Sequence, residues 1–285
     1  MNKEERIEIY KETVQIVNDG GYESYHLVDF DFPDDNYMEC NTIFYDKAAS
    51  VNHKTLERYN TEVSVVNEDC LYEAKKLKDL GLEVAVLNMA SYHTPGGGVT
   101  RGSSAQEESI FRRTNIFKSL YQFHDIGKNY GVDQIKESRY PLNYNFGGIY
   151  SPSVTVFRAA ERDSCELLDE PFTVDVISVP AVKNPKVRNG KLAPWVVDTL
   201  KTKIRQIFDI ALSHGNDALV LSAFGCGAYG TPPSEMARLF KEVIDSEKYK
   251  GAFKVIRFAI IDVPSTNGAH NPQGNIKPFT DVFGE

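Results

Sequence analysis

Two stretches of the chain carry residue types that could do chemistry. Gly96-Gly97-Gly98 is followed, after seven intervening residues, by Gln106-Glu107-Glu108. Three successive glycines let a backbone approach a ligand closely, because no Cβ stands between them and it. The functional reading is a cradle for phosphate or ribose; the plainer one is a tight link between a strand and a helix. Three glycines exceed what a turn needs, since each loses conformational entropy on ordering. A carboxylate pair just beyond places acid–base chemistry beside whatever the glycines hold. Adjacent carboxylates cannot flank a glycosidic bond from both sides as an opposed pair does. A glycosidase built here would use one glutamate as acid and then as base. Ser104-Ala105-Gln106-Glu107 fits an S-x-x-E capping box, which gives Glu107 a structural alternative. Acidic residues also favour the first turn of a helix through its dipole. Glu108 has no capping role to explain it and is the stronger catalytic candidate.

A second glycine loop runs Ala223-Phe224-Gly225-Cys226-Gly227-Ala228-Tyr229-Gly230. Thr231 then reads as an N-cap with Pro232 at the first helical position. Backbone N–H groups of such a loop face a diphosphate at a helix start. Phe224 and Tyr229 could stack on a ribose or base, or belong to the core. Cys226 reads as a small filler, because no histidine lies nearby in sequence to activate it. Asn88 and Ser91, at a strand end, could contact a ribose or form the turn. Arg101, Arg112 and Arg113 flank the glutamates and could pair with phosphate, although solvated loop and helix faces explain them more simply. Lone histidines such as His93 are more often structural than catalytic. No H-x-x-x-H or similar pattern points to a metal, and no cofactor is expected.

These residues must be held by a scaffold. Residues 3–17 read as an amphipathic helix with Ile7, Tyr10, Val14 and Val17 on one face. Residues 18–50 read as irregular, an ordered arm or a cover. Val63–Val66 is a short β-branched strand. Asp69 caps a helix running to Leu80, which Gly81 ends. Val84–Leu87 reads as a buried strand, and a helix is predicted from about Ala105 to Tyr121. Strands follow at Val154–Phe157, Val174–Val179, Ala218–Ala223 and Phe253–Ile261. Helices are predicted at Trp195–His214 and Pro232–Ile244. Helices alternating with continuous apolar strands indicate an α/β fold whose sheet is covered on both faces. Such sheets bind ligands in loops at the strand ends, so the two glycine loops could converge on one crevice.

Bulk properties narrow the function. The 285 residues are 41% hydrophobic and 25% charged, the balance of an ordinary globular protein. A net charge of −8 argues against sequence-independent grip on nucleic acid or an anionic membrane; direct sequence-specific nucleic-acid binding is not expected either. No apolar run approaches the roughly 20 residues of a membrane helix, and the charged start Met1-Asn2-Lys3-Glu4-Glu5-Arg6 leads into no signal core. Cys40, Cys70, Cys165 and Cys226 show no paired spacing, so a cytoplasmic setting with reduced thiols is expected.

The motifs together resemble a known family. The glycine triplet, a short spacer and Gln106-Glu107-Glu108 are similar to the signature of poly(ADP-ribose) glycohydrolases. Leu87-Asn88-Met89-Ala90-Ser91, Val66-Asn67-Glu68-Asp69 and the second glycine loop resemble the bacterial-type (microbial) branch, and that loop is similar to the diphosphate loop of macrodomains generally. The resemblance covers roughly residues 55–265. It implies a macrodomain-like three-layer α/β/α sandwich with a mixed central sheet (56–285) and an N-terminal helical extension (1–55) packed on it or covering it. The activity implied is hydrolysis of the ribose–ribose O-glycosidic bond to release ADP-ribose. The partners implied are ADP-ribose, poly(ADP-ribose) and ADP-ribosylated proteins. Glu108 would protonate the leaving ribose oxygen and then activate water, while Glu107 and Gln106 orient ribose hydroxyls. Gly96, Gly97, Gly98 and Val99 would contact the diphosphate and distal ribose, and Gly225, Cys226, Gly227, Ala228 and Tyr229 the other side of the diphosphate. Phe224 or Tyr229 would border the ribose. Asn67 and Asp69 are candidates for adenine recognition. Asn88-Met89-Ala90-Ser91 departs from the D-F-A-N of the animal enzymes at the positions of the ribose contacts Asn88 and Ser91. Two other functions fit the same motifs: a reader that binds ADP-ribose without cleaving it, and a hydrolase of mono-ADP-ribosylated protein or another ADP-ribose conjugate. The carboxylate pair favours an enzyme over the reader, since binding alone needs only the glycine loops.

Overall fold

Apolar strand segments separated by amphipathic helices dictate the architecture. The computed structural model describes residues 1–33, 36–134, 139–262 and 268–284. In chain order its elements are α1 (Lys3–Asp19), β1 (Gly21–Glu23), β2 (Asp29–Asp31), α2 (Tyr37–Asn41), β3 (Ile43–Tyr45), β4 (Glu62–Val66), α3 (Cys70–Asp79), β5 (Val84–Met89), α4 (Gln106–Arg113), α5 (Phe117–Leu120), β6 (Gly148–Arg158), β7 (Leu167–Val179), β8 (Val187–Arg188), β9 (Lys191–Leu192), α6 (Pro194–Ser213), β10 (Ala218–Leu221), α7 (Pro233–Ile244), β11 (Val255–Ala259) and α8 (Ile276–Phe283). Seven strands form a mixed sheet, the α/β class that the alternation predicted. No helix among the described residues is long and apolar enough to cross a membrane.

The chain divides into two compact units. One comprises Tyr45–Met89, Asn143–Gly148 and Val179–Glu285. Its centre is four parallel strands in the order β5-β10-β11-β4. Val84–Leu87 and all of β10 are buried, as expected of strands covered on both faces. Helix α3 packs on β5 and β10, and α8 packs on β4. Asp69 caps α3 as predicted, its Oδ1 accepting from Leu71 N at 3.0 Å and Tyr72 N at 3.2 Å. Long α6 buries Ile204, Ile207 and Phe208, with the Phe208 ring edge-on to Phe253.

The other unit comprises Met1–Phe44, Ala90–Leu142 and Ile149–Ser178. Here β6 and β7 pair antiparallel, with register shifts between Ser151 and Val154 and between Val156 and Arg158. Helix α1 starts in a full capping box of Asn2 and Glu5 and lies against α4. Tyr10 is buried on Phe111 and shares a 2.7 Å hydroxyl–hydroxyl bond with Tyr121. Thr13 Oγ1 donates to the Arg112 carbonyl at 2.6 Å.

Two expectations are corrected in this unit. The helix predicted from Ala105 to Tyr121 is two helices, because Thr114 turns extended and bridges to Val156. Asn115 completes the break: its N–H donates to the Thr155 carbonyl, and its side-chain oxygen accepts from Thr155 N at 2.9 Å. Ladder pairing with β6 thus replaces one turn of helix. Residues 18–50, read as irregular, hold the β1–β2 hairpin, α2 and β3. Tyr22 and Phe30 face each other across the hairpin, and the Tyr22 ring packs on Phe157, giving this short hairpin an apolar face to bury.

One buried charge yields a stability prediction. Lys203 on α6 is 1% exposed. Among the described residues no carboxylate lies within ion-pair distance of it, and its Nζ sits 5.6 Å from the centre of the Tyr144 ring. Burial pulls the amine down to about 8. The unfolded chain, with an ordinary lysine near 10.4, therefore binds more protons between these values, so this group's contribution to stability rises with pH across that window. Lys203→Met is expected to stabilise the protein at pH 7 by about 2 kcal/mol. The advantage should narrow between pH 8 and pH 10.4, as read by thermal or urea unfolding at both ends of the window.

Candidate active site

The glycine triplet and the glutamate pair meet inside the unit that contains α1 and α4. Helix α4 has Ala105 as its N-cap and no side chain capping it. The capping-box expectation for Ser104 and Glu107 is therefore corrected: the helix starts one residue later, which makes Glu107 its second residue. Glu107 instead accepts two backbone N–H groups of the preceding loop, Gly96 N on Oε1 at 3.0 Å and Ser91 N on Oε2 at 2.7 Å. Glu108 Oε1 accepts Gly98 N at 2.8 Å. Among the described residues no donor reaches Glu108 Oε2. Glu107 is 4% exposed and Glu108 8%, so these amide bonds offset much of the desolvation that burying carboxylates costs.

The glycines are required by this arrangement. Gly97 adopts φ +54°, and a Cβ there would stand 2.7 Å from Glu108 Oε1 and 3.0 Å from Glu107 Oε2. Both carboxylates converge on its Cα. A Cβ on Gly98 would collide with Ser103 Oγ. Val99 is buried at the start of a single 3-10 turn, and Gln106 and Ser91 are half-buried. His93 is exposed, its ring edge-on to Tyr92.

The arginines depart from the expected solvated faces. Arg101 is exposed, but Arg112 and Arg113 are 0% and 1% exposed, because α1 and the segment after β6 enclose the back of α4. Arg113 Nε donates to the Arg158 carbonyl at 3.2 Å. Arg112 Nη1 donates to the Ser103 carbonyl at 2.7 Å, and its Nη2 lies 3.7 Å from Glu161. Glu161 also accepts Arg6 Nη2 at 2.5 Å. Burial pushes the Glu161 carboxyl up, but the Arg6 hydrogen bond and the charges of Arg6 and Arg112 hold it below its ordinary value. Sequence reasoning missed Ser103 and Glu161 altogether. The one available signal was Arg112, one helical turn after Glu108.

The second loop belongs to the other unit. Asn88 lies two residues beyond Val86, which is in register with Val220 of the parallel strand β10. Asn88 and the 223–230 loop therefore leave the sheet at the same, carboxyl end, where α/β sheets bind ligands. Asn88 is fully buried in β5, and the side chains of Phe224 and Cys226 are enclosed. Burial pushes the Cys226 thiol well above its ordinary value, as befits a filler. Gly227 and Ala228 are exposed and Tyr229 half-buried, so of the two aromatics Tyr229 offers the open surface. Pro232, not Thr231, is the N-cap of α7, with Pro233 first in the helix. Thr231 N instead donates to the Gly225 carbonyl at 3.0 Å, closing the loop. Asp69 is engaged as a cap, and Asn67 Oδ1 accepts Asp262 N at 3.3 Å. Among the described residues no group of three or more His, Cys, Asp or Glu could hold a metal ion.

A carboxylate pair cradled by loop amides at the head of a helix, on a mixed α/β sheet, defines a macrodomain-like glycosidase. The family described as "Microbial-type PARG, catalytic domain" matches residues 10–159, which include α1 from Tyr10 onward, the glycine triplet and α4. The chain belongs to this family, the microbial-type poly(ADP-ribose) glycohydrolases. Its fold is similar to that of poly(ADP-ribose) glycohydrolase from Thermomonospora curvata, with 29% identity over 98% of this chain and 99% of that one and a TM-score of 0.77. The same enzyme bound to the inhibitor ADP-HPD matches at 28% identity over 97% and 98%, TM-score 0.76. The Deinococcus radiodurans enzyme in complex with ADP-ribose matches at 26% identity over 89% and 98%, TM-score 0.65. No relative was found among curated protein sequences.

The crowding at Gly97 has a direct consequence. Gly97→Ala combines a left-handed backbone, costing about 1–2 kcal/mol for a residue with a Cβ, with displacement of both carboxylates. We expect a lowered Tm and at least a tenfold lower rate of ADP-ribose release, measured by thermal unfolding and by chromatography of the products.

Proposed function

We propose that Glu108 is the general acid and base in hydrolysis of the ribose–ribose O-glycosidic bond of poly(ADP-ribose). The unequal hydrogen bonding of the pair carries this assignment. Both oxygens of Glu107 accept loop amides, whereas Glu108 is held through Oε1 alone. Oε2 is left for a proton transfer. Protonated Glu108 gives its proton to the departing ribose oxygen as the glycosidic C–O bond breaks and the anomeric carbon gains oxocarbenium character. The resulting carboxylate then takes a proton from water as the water oxygen bonds to that carbon. One water is consumed, ADP-ribose leaves, and Glu108 is again protonated.

The remaining residues position the substrate in this scheme. Glu107, held by the loop amides, orients ribose hydroxyls, and Gln106, at the head of α4, sets the same geometry. Gly96, Gly97, Gly98 and Val99 contribute backbone contacts to the diphosphate and distal ribose. In the other unit, Gly225, Cys226, Gly227, Ala228 and Tyr229 offer backbone contacts suited to a diphosphate. Residues 1–55 serve as an extension of a catalytic domain spanning 56–285. The unpaired spacing of the cysteines supports a cytoplasmic setting.

The test compares wild type with Glu108→Gln on poly(ADP-ribose), following ADP-ribose release and, separately, ADP-ribose binding by calorimetry. Turnover of the variant is expected to fall by about 10²–10⁴, with affinity within about tenfold, or 1.4 kcal/mol. Retained turnover, or binding lost in step with it, would remove Glu108 from this role.

A further inference from the structure

One buried cation behind the carboxylate pair has no part in the scheme above. Arg112 follows Glu108 by four residues and so shares its face of α4 one turn on. Its side chain is fully enclosed, and its Nε has no hydrogen-bond partner among the described residues. A buried guanidinium so sparsely bonded is a poor stabilising element; an apolar side chain of similar volume would suit packing alone. What the guanidinium does reach is the loop that holds Glu108. Arg112 Nη1 donates to the Ser103 carbonyl at 2.7 Å. Ser103 N donates to the Gly98 carbonyl at 3.2 Å. Gly98 N donates to Glu108 Oε1 at 2.8 Å. The helical turn between Glu108 and Arg112 closes the circuit. Ser103 Oγ also occupies the space a Cβ on Gly98 would need, so the position of Ser103 and that of the Gly98 amide are coupled. On its far side Arg112 is steadied by Glu161 at 3.7 Å, itself gripped by Arg6 of α1 with both Glu161 oxygens 3.0 Å from Arg6 Nε.

We propose that Arg112 is a positioning residue for Glu108. Its guanidinium fixes Ser103 and thereby the Gly98 amide that orients the Glu108 carboxylate, while Glu161 and Arg6 hold the guanidinium in register. This inference rests on the assignment of Glu108 as acid and base. It extends the machinery from the substrate-facing loop back to the N-terminal helix. Lysine keeps the charge but lacks the planar fork, so it separates orientation from electrostatics.

The experiment measures kcat, KM and ADP-ribose Kd for Arg112→Lys, Arg112→Met, Glu161→Gln and Glu108→Gln, and for Glu161→Gln combined with Glu108→Gln, with unfolding curves for each. Glu161 is partly exposed, so Glu161→Gln reads the network even if the arginine variants fold poorly. We expect kcat to fall about tenfold in Glu161→Gln and further in Arg112→Lys and Arg112→Met, with KM and Kd within twofold. Because the network acts through Glu108, adding Glu161→Gln to Glu108→Gln should lower the residual rate by less than twofold. Wild-type kcat in Glu161→Gln and Arg112→Lys, beside an inactive Glu108→Gln, overturns this proposal alone. So does a Glu161→Gln loss of equal size on both backgrounds, which marks a general structural effect. An active Glu108→Gln overturns the assignment of Glu108 and this inference together.

Discussion

Three backbone N–H groups bonded to two buried carboxylates form the constraint on which the rest of the site depends. Placing two carboxylates at the head of α4, each less than a tenth exposed, would be prohibitive without donors. Ser91, Gly96 and Gly98 supply them. That requirement brings the loop close enough to α4 to exclude a Cβ at Gly97. It also sets the start of the helix, because Glu107 bonds to the loop and does not close a capping box. The triplet thus has a reason internal to the protein as well as the ligand-facing one its composition suggests.

Helix α4 has eight residues, too few to be stable on its own. Its position is set by what surrounds it. On one side α1 contributes Tyr10 against Phe111 and the Thr13 hydroxyl on the Arg112 carbonyl. At its end Thr114 and Asn115 tie the chain into the ladder of β6. The two carboxylates at its head are held by that packing and by backbone bonds. The N-terminal helix is therefore part of the packing that holds α4 in place.

The unit of parallel strands shows a different logic. There β5 and β10 run side by side and parallel, so Asn88 and the second glycine loop leave the strands at the same carboxyl end through topology. Within that loop Gly227 and Ala228 are exposed while the side chains of Phe224 and Cys226 are enclosed.

The local features were legible in the sequence. The apolar runs marked β5, β10 and β11, Asp69 marked the start of α3, and the glycine triplet with the glutamates marked the family. Each depends on residues near one another in the chain, where propensity, periodicity and spacing act. What only the tertiary structure decided depends on partners far apart in sequence. The break at Thr114 needs β6; the hairpin at Gly21–Asp31 needs Phe157; the burial of Arg112 needs α1 and Glu161. Arg112 and Glu107 show the difference most clearly. By sequence one is a solvated helix charge or a phosphate partner, and the other a cap or a ribose-orienting carboxylate. By structure one is an enclosed guanidinium behind Glu108 and the other a carboxylate bound by the loop that precedes it. The physical reason is that a charged side chain takes its role from the donors and acceptors that reach it after folding, and sequence spacing alone does not specify those.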